Sequence, residues 1–269
     1  MRSPVSPDRR QFLLGSSAAT LAALAVTSAA AGQLKLRPPE ESPVNATIPN
    51  DTWLKFTRAG KVKTFRGNTV ICHLPSQSKF RDAVTALGAA LRSSPFSHKL
   101  ACTPPESYHT TIFPGANDLD RSFYGWPSDV PKTASIDECT RIVAEHVKAF
   151  RMQTDMPIRM KVDGERLIGS IRLVPYDDAE NAKVRRLRDR LASDVFHYLD
   201  RGHDTYTFHS TLAYQLERLT IAEERQHQSI LARHMPAIVE AGQSLELAAP
   251  AFCSFENMYR FEPLLFLRS

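Results

Sequence analysis

The sequence has few cysteines and lacks the short motifs that mark the most familiar catalytic and cofactor sites. Its four cysteines, Cys72, Cys102, Cys139 and Cys253, form no CxxC pair and have no metal-like spacing. There is no H-E-x-x-H motif, no glycine-rich phosphate loop and no G-x-S-x-G nucleophile elbow. Histidines and carboxylates also do not cluster along the chain as metal ligands do. We therefore predict neither a metal nor another cofactor.

A dense run of basic residues, which is typical of proteins that bind duplex DNA, is also absent. The nearest approach is Arg-Arg-Leu-Arg-Asp-Arg at residues 185–190, which falls on a predicted amphipathic helix. The chain has a net charge of +5, and three arginines and one aspartate at its start account for +2 of it, leaving +3. This mild basicity suits an anionic ligand, although a solvated surface explains it equally well. Duplex DNA is not predicted as a partner.

The first 31 residues have the pattern of an export signal. A twin-arginine motif, DRRQFL at residues 8–13, precedes an alanine-rich run that ends in a small-residue cleavage site at Ala31. An uncleaved membrane anchor is disfavoured because serine, threonine and glycine interrupt that run. We predict a periplasmic or secreted protein with no stable membrane association after cleavage. Twin-arginine substrates normally fold before export, so disulfides and buried free thiols both remain open for the cysteines.

The rest of the chain divides into a short extended segment and one large domain. Residues 32–64 contain Pro38, Pro39, Pro43 and Pro49 among polar residues, which predicts an extended tether. Residues 65–269 alternate helical and strand patterns and predict an α+β fold. Its expected helices cover about 79–91, 135–150 and 178–199, with another that begins at Thr220 and is kinked or ended by Pro236. The expected strands are 69–74, a hairpin over 156–174 that turns at Asp163-Gly164, and three segments after residue 244.

One six-residue pattern occurs twice in this domain, one hundred residues apart. Residues 107–112 are Ser-Tyr-His-Thr-Thr-Ile and residues 207–212 are Thr-Phe-His-Ser-Thr-Leu, so the two hexads agree position by position in chemical class. Other His-x-Thr or His-x-Ser triplets begin at His203 and His227, but they lack the preceding aromatic residue and the following hydroxyl. The full hexad therefore distinguishes two of the nine histidines.

Both hexads are rich in β-branched and aromatic residues, which predicts strands. Side chains alternate along a strand, so His109 and Thr111 share one face, as do His209 and Thr211. Two imidazoles and two hydroxyls in one cleft suit phosphodiester chemistry: one histidine accepts a proton, the other donates one, and the threonines hold phosphoryl oxygens. With ordinary histidine pKa values near 6.5, the rate would peak roughly between pH 6 and 8. A lone histidine on a strand is more often structural, but packing alone does not explain the duplication.

The paired hexads resemble those of the 2H phosphoesterase superfamily, whose signature is two His-x-Thr/Ser motifs. The similarity covers roughly residues 65–269, and residues 203–216 are most similar to an uncharacterised branch. It implies a bilobal, pseudo-symmetric fold in which two antiparallel sheets line a central cleft with helices outside. It also implies metal-independent hydrolysis of cyclic or 2′,5′-linked phosphodiesters, such as a nucleotide or an RNA end. His109 and His209 would then be catalytic, and Thr111 and Thr211 would bind substrate.

Three further residues are candidate substrate contacts. Tyr124 and Trp126 lie in a predicted loop, 114–134, and their rings could stack on a nucleobase, although the sequence alone favours rings that pin the loop to the surface. Arg172, like Arg159 and Arg166, lies on the predicted hairpin and could reach a phosphate, although the solubility of an edge strand explains these arginines more simply. The alternative to an enzyme is a non-catalytic protein that holds a nucleotide or RNA end in the same cleft. We expect the protein to be a monomer.

The twin-arginine motif gives a direct test. Replacing Arg9 and Arg10 with lysine should trap full-length precursor inside the cell, because the export route requires the arginine pair. The measurement is the size and location of the protein in fractionated cells. Unchanged export of the doubly substituted chain would contradict the assignment.

Overall fold

The structure, a computed structural model, describes residues 48, 49, 51–75 and 77–269. The predicted signal peptide and residues 32–47 of the predicted extended segment lie outside these described residues. Of the helices in the part of the chain that is described, none is long and apolar enough to cross a membrane.

Strands and helices alternate irregularly along the described residues. The strands are β1 (Gly67–His73), β2 (Leu100–Cys102), β3 (His109–Phe113), β4 (Arg159–Leu167), β5 (Ser170–Pro175), β6 (His209–Thr211), β7 (Ala213–Gln215), β8 (Leu245–Glu246), β9 (Ala251–Asn257) and β10 (Arg260–Phe266). The helices are α1 (Thr52–Lys55), α2 (Lys79–Arg92), α3 (Ile136–Ala149), α4 (Asp178–Leu191) and α5 (Ile221–Ala241).

Two four-stranded sheets form the frame of the domain. One has the order β10-β9-β1-β3 and the other the order β6-β5-β4-β8, while β2 and β7 form a separate two-stranded sheet. All of these pairings are antiparallel. The hexad strands β3 and β6 are end strands of different sheets, and they contact each other. The predicted α+β fold with antiparallel sheets is therefore confirmed.

The helices bury the apolar faces that their spacing predicts. In α2 the buried face includes Phe80, Val84, Leu87 and Leu91, and the Ser78 hydroxyl caps the helix by accepting a hydrogen bond from the Arg81 amide. Thr220 and Glu223 form the predicted reciprocal capping box at the start of α5. The four cysteines are free thiols. Burial raises the pKa of the Cys139 and Cys253 thiols to about 12, so they are unreactive.

The β4–β5 hairpin turns later than predicted. The expected turn at Asp163-Gly164 is wrong, because Gly164 lies within β4 at a register shift and the chain reverses at Ile168-Gly169. Gly169 has a φ of 74°, a left-handed conformation that glycine adopts without strain. It also lies against the backbone of Ala213, where a β-carbon would collide. Two glycines with positive φ were available, and packing selects the second as the turn.

The predicted end of the helix over 178–199 is also wrong, and of the two effects predicted for Pro236, a kink or an end of the helix, the second is excluded. The helix expected over 178–199 leaves α-geometry at Leu191, continues as a π-helical turn over Ala192–Phe196, and stops at His197, which has a φ of 54°. Pro236 lies inside α5 without ending it. Pro236 and the residue four positions before it are exposed, so the carbonyl that loses its helical partner faces water.

The segment before residue 65 is not simply a tether. Residues 52–55 form α1, and Thr52 and Phe56 are buried. The Phe56 ring packs 4.9 Å from the ring of Tyr214 on β7. The predicted extended conformation is therefore wrong for residues 52–56, whose aromatic and aliphatic side chains have a surface of the domain to cover.

The contact between Gly88 and Tyr108 allows a test of how tightly the core is packed. Gly88 lies on α2, and Tyr108 is the aromatic residue of the first hexad. A β-carbon at Gly88 would overlap the Tyr108 hydroxyl, whereas the next ring atom is 3.5 Å away. Gly88→Ala should therefore lower the free energy of unfolding by about 1–3 kcal/mol through overpacking. In a Tyr108→Phe background the same change should be neutral, or stabilising by up to about 1 kcal/mol, because alanine favours the helix. Urea denaturation of the four chains measures this, and equal destabilisation in both backgrounds would contradict the contact.

Candidate active site

The two hexads meet at one cavity of about 470 Å³. His109, Thr111, His209 and Thr211 all line it, as their shared strand faces predict. The alternate positions point into the protein: Tyr108, Ile112, Phe208 and Leu212 are almost completely buried. The hydroxyl residues between histidine and threonine, Thr110 and Ser210, are fully buried as well. The hexad thus specifies both faces of an end strand, which explains why six positions repeat and not three.

The imidazoles of His109 and His209 are held in the same way. His109 Nδ1 lies 2.6 Å from the Ser107 carbonyl oxygen, and His209 Nδ1 lies 2.8 Å from the Thr207 carbonyl oxygen. A carbonyl oxygen only accepts, so each Nδ1 carries a hydrogen and donates it. The neutral ring then has its lone pair on Nε2. Each strand therefore fixes its imidazole through Nδ1 to the carbonyl two residues earlier, and Nε2 takes no part in this bond.

Burial lowers the pKa of the His109 imidazole to about 4. The neighbouring imidazoles of His73 and His209 lower it further, while the bond to the Ser107 carbonyl opposes the shift. His73 is the partner of His109 across β1 and β3. The Phe261 ring packs 4.3 Å from the His109 ring and contributes to its burial. His109 is therefore neutral at pH 7 when the cavity holds no anion.

Burial also lowers the pKa of the His209 imidazole to about 4, and here the additional repulsion comes from Arg166 and Lys55. Arg166 Nη1 lies 3.4 Å from both ring nitrogens of His209, so the guanidinium sits against the ring. Lys55 Nζ forms an ion pair of 2.6 Å with Asp51. Both cations line the cavity. The His209 end is thus the cationic end of the site.

Lys55 was not foreseen as a site residue, because it lies in the predicted tether. Its pKa is raised although burial opposes this, since Tyr214 and Asp51 favour the charged form. Lys55 Nζ also lies 5.3 Å from the Tyr214 ring and 5.6 Å from the Phe65 ring. A second cavity of about 200 Å³ adjoins the first and shares Lys55, Arg166 and His209 with it. The one feature of the sequence that could have indicated a folded segment around Lys55 is the run Trp-Leu-Lys-Phe at residues 53–56, which lies in an otherwise polar segment.

A buried arginine supports the hexad strands from behind. Arg188 on α4 is fully buried, and its guanidinium donates to the carbonyl of Ile112 on β3 and to Asp200 at 2.7 Å. Its charge lies 4.1 Å from the Tyr206 ring, and Tyr206 lines the cavity together with Thr111. Burial lowers the pKa of Arg188 from its usual value. The arginine run therefore contains one residue that holds the site and is not merely a charged helix face.

The aromatic wall of the cavity does not come from the loop that the sequence suggested. Trp126 is 2% exposed and donates its indole N–H to the Val130 carbonyl, so it is a core residue and not a substrate contact. Tyr124 is 47% exposed and does not line the cavity. The apolar and aromatic residues that do line it are Leu54, Phe65, Tyr206, Tyr214, Phe255, Met258 and Phe261.

Arg172 is also not brought into the cavity. Strand register places it opposite His209 across β5 and β6. Its side chain turns to Asp163, with Nε 3.3 Å from the carboxylate, and is about half exposed. Arg166, on the preceding strand, takes the place that the sequence suggested for Arg172.

One cluster of side chains able to bind a metal is present in the described part of the chain, but not in this cavity. It consists of Asp129, His146 and His197. The sequence prediction concerned spacing along the chain, and these three residues come together only in the folded structure because they belong to separate segments.

Comparison with known proteins found similarity for part of the chain that forms this site. Residues 55–170 match the family described as 2H-phosphodiest, domain of unknown function (DUF1868), a stretch that includes the first hexad. A conserved protein of unknown function from Agrobacterium tumefaciens, ATU0111, has a crystal structure 28% identical to this chain, with a TM-score of 0.75 over 82% of this chain and 94% of that one. The match to residues 55–170 agrees with the resemblance to the 2H phosphoesterase superfamily that the two hexads carry.

More distant solved structures were also found, while no curated protein matches the sequence. LigT from E. coli, complexed with phosphate, is 13% identical, with a TM-score of 0.42 over 77% of this chain and all of LigT. A crystal structure described as a phosphoesterase is 14% identical, with a TM-score of 0.39 over the same shares. Scores this low support no inference about this chain.

The lowered histidine pKa values predict an acidic optimum. The pH dependence of kcat/KM reports the free enzyme, so with both imidazoles near 4 it should peak near pH 4 and not between 6 and 8. A bound anion favours the protonated imidazole, so the optimum of kcat should lie at higher pH than that of kcat/KM. Initial rates across a pH series measure both profiles.

Stability should fall over part of the same range, which calls for a control. Unfolded histidines take up protons below about pH 6.5, whereas these two do so only near pH 4, so the folded state loses stability as pH falls between these values. Circular dichroism at each pH separates unfolding from titration. Coincident kcat and kcat/KM optima near pH 7 would contradict the burial of the imidazoles.

Proposed function

We propose that this protein is a phosphodiesterase that hydrolyses a cyclic or 2′,5′-linked phosphodiester of a nucleotide or RNA end. The observation that carries the proposal is the matched geometry of the two imidazoles, each tied through Nδ1 to the carbonyl two residues earlier. Two Nε2 atoms and the two threonines of the hexads then share one cavity. One imidazole activates the nucleophile and the other protonates the leaving oxygen, while Thr111 and Thr211 hold the phosphoryl oxygens.

The composition of the cavity supports a substrate with an aromatic base. Phe255 and Phe261 lie on the His109 side, whereas Arg166 and Lys55 lie on the His209 side. Aromatic faces stack on bases of any identity, and cations attract the phosphate. A base stacked on Phe255 and Phe261 would place its phosphodiester between the two histidines.

Catalysis by this pair requires no metal, because proton transfer and charge stabilisation are both supplied by side chains. The alternative is a binding protein that uses the same cavity. The two imidazoles held in the same way favour the enzyme, because Arg166 and Lys55 alone would suffice to bind a phosphate, whereas proton transfer needs a pair of such groups. We further propose that the protein acts as a monomer after twin-arginine export.

The test is a substrate panel with matched variants. Purified protein should hydrolyse 2′,3′-cyclic nucleotides or 2′,5′-linked dinucleotides and leave linear 3′,5′ dinucleotides largely intact. His109→Ala and His209→Ala should each lower kcat/KM by about 10²- to 10⁴-fold. The double variant should lose far less than the product, because the residues act together. His98→Ala, at an exposed histidine, is the control.

Two outcomes of this panel would contradict the proposal. One is near-full turnover by His109→Ala with weaker ligand binding, which would favour the binding protein. The other is activity that a chelator abolishes and that zinc, magnesium or manganese restores, in a chain that remains folded. The second outcome would assign the reaction to a metal-dependent class.

The unequal ends of the cavity also assign the two roles. Arg166 and Lys55 oppose protonation of His209, so we propose that His209 is the general base and His109 the general acid. A general acid matters less when the leaving oxygen is already a stable anion. His109→Ala should therefore be largely rescued by a nitrophenyl phosphodiester, relative to an alkyl one, whereas His209→Ala should not. Rates for both esters and both variants decide this, and rescue of His209→Ala alone would reverse the assignment.

A further inference from the structure

The cluster of Asp129, His146 and His197 lies outside the candidate active site and joins three segments. Asp129 belongs to the connection between β3 and α3, His146 lies on α3, and His197 follows the π-helical turn at the end of α4. His146 Nε2 lies 3.4 Å from Asp129 Oδ2, and His197 Nδ1 lies 2.9 Å from Asp129 Oδ1. One potential ligand atom from each residue lies within 4.8 Å of the others.

The hydrogen bonding of His146 leaves an unfavourable contact unless a cation is present. Its Nδ1 lies 2.9 Å from the Val195 carbonyl oxygen, which only accepts, so Nδ1 carries a hydrogen. In the neutral ring, Nε2 then presents a lone pair to the Asp129 carboxylate 3.4 Å away. Two acceptors face each other, and a proton or a metal ion between them removes the repulsion. Metal-bound histidines characteristically donate their other nitrogen to a carbonyl in this way.

The two imidazoles share one carboxylate. The rings of His146 and His197 lie 4.7 Å apart between centroids, and both face Asp129. A divalent ion bound to two neutral imidazoles and one carboxylate would engage all three side chains at once, with a net charge of +1.

The spacing fits such an ion. Zinc bonds of about 2.0–2.1 Å at tetrahedral angles place ligand atoms about 3.3 Å apart, close to the separation between His146 and Asp129. His197 Nδ1 lies closer to Asp129, at 2.9 Å, because the two residues form a hydrogen bond. Coordination of the ion by both residues would replace this bond. His197 adopts a left-handed backbone conformation directly after a π-helical turn, and both features are frequent at functional sites. These two features end the helix at His197 and turn its imidazole towards Asp129.

We propose that Asp129, His146 and His197 bind one divalent transition-metal ion of the zinc class, with a solvent molecule completing a tetrahedral site. Imidazole and carboxylate ligands suit such ions. The role is structural: the ion ties the connection between β3 and α3 to the helices beside it. That connection includes Pro114, Asn117 and Asp120, which line the catalytic cavity. Tyr198, next to His197, already donates its hydroxyl to the Pro114 carbonyl at 2.8 Å.

The experiment measures zinc binding to the purified protein after chelator treatment and dialysis. Isothermal titration with zinc should give about one equivalent, and the melting temperature should rise by a few degrees when zinc is in excess, because the ion binds the folded state. Asp129→Asn keeps the shape of the side chain and its ability to accept from His197 but removes the charge. His197→Asn removes the imidazole while tolerating the left-handed backbone.

Both variants should lose more than about 100-fold in zinc affinity, which exceeds the usual effect of changes beyond the ligands themselves. Both should also lose the zinc-dependent rise in melting temperature, while His98→Ala should retain the binding and the rise. Equal zinc affinity of the wild type and the Asp129→Asn variant would overturn the proposal, and so would binding of no zinc by a folded wild type. Because the readouts are binding and melting, they are independent of phosphodiesterase activity, which Asp129→Asn should retain in the presence of chelator.

Discussion

The arrangement of the hexads depends on the hydrogen bonds and the ion pair of the buried Arg188 guanidinium. The hexad strands belong to different sheets and are not joined to each other by a backbone ladder. Arg188 bridges this junction by donating to the Ile112 carbonyl and to Asp200, and it also donates to the His203 carbonyl. A charge this deeply buried requires a partner, because an unpaired one is strongly destabilising. The requirement fixes α4, β3 and the loop before β6 in one geometry, and with them the two histidines.

How far the sequence predicts this protein depends on the range of each interaction. The hexads were predictable because strand alternation is local, and His109, Thr111, His209 and Thr211 share a cavity as expected. Lys55 and Arg166 were missed, or not selected, because their position depends on contacts between distant segments. Trp126 was misassigned for a related reason: an aromatic residue in a loop rich in glycine and proline can face water or the core, and composition does not distinguish them. The metal-binding cluster likewise exists only after folding.

The pseudo-symmetry of the backbone contrasts with the asymmetry of the cavity. Each imidazole has the same tautomer and the same carbonyl partner. What differs is the neighbourhood, with Phe261 against one ring and Arg166 against the other. A duplicated backbone therefore supplies two equivalent proton-transfer groups, and the residues outside the hexads make them inequivalent. The hexads therefore supply what the two ends of the cavity have in common, and the residues outside the hexads supply what differs between them.

The order of strands in the first sheet has a consequence for protein synthesis. β1 lies between β3 and β9, and β10 brings Phe261 against His109. The ribosome makes β1 and β3 long before β9 and β10, so the sheet that carries His109 lacks half of its strands until almost all of the domain has emerged. Such non-local pairing forms slowly. A nascent chain would therefore carry both hexads for most of its synthesis without a finished cavity, because Phe261, which packs against His109, is made almost last.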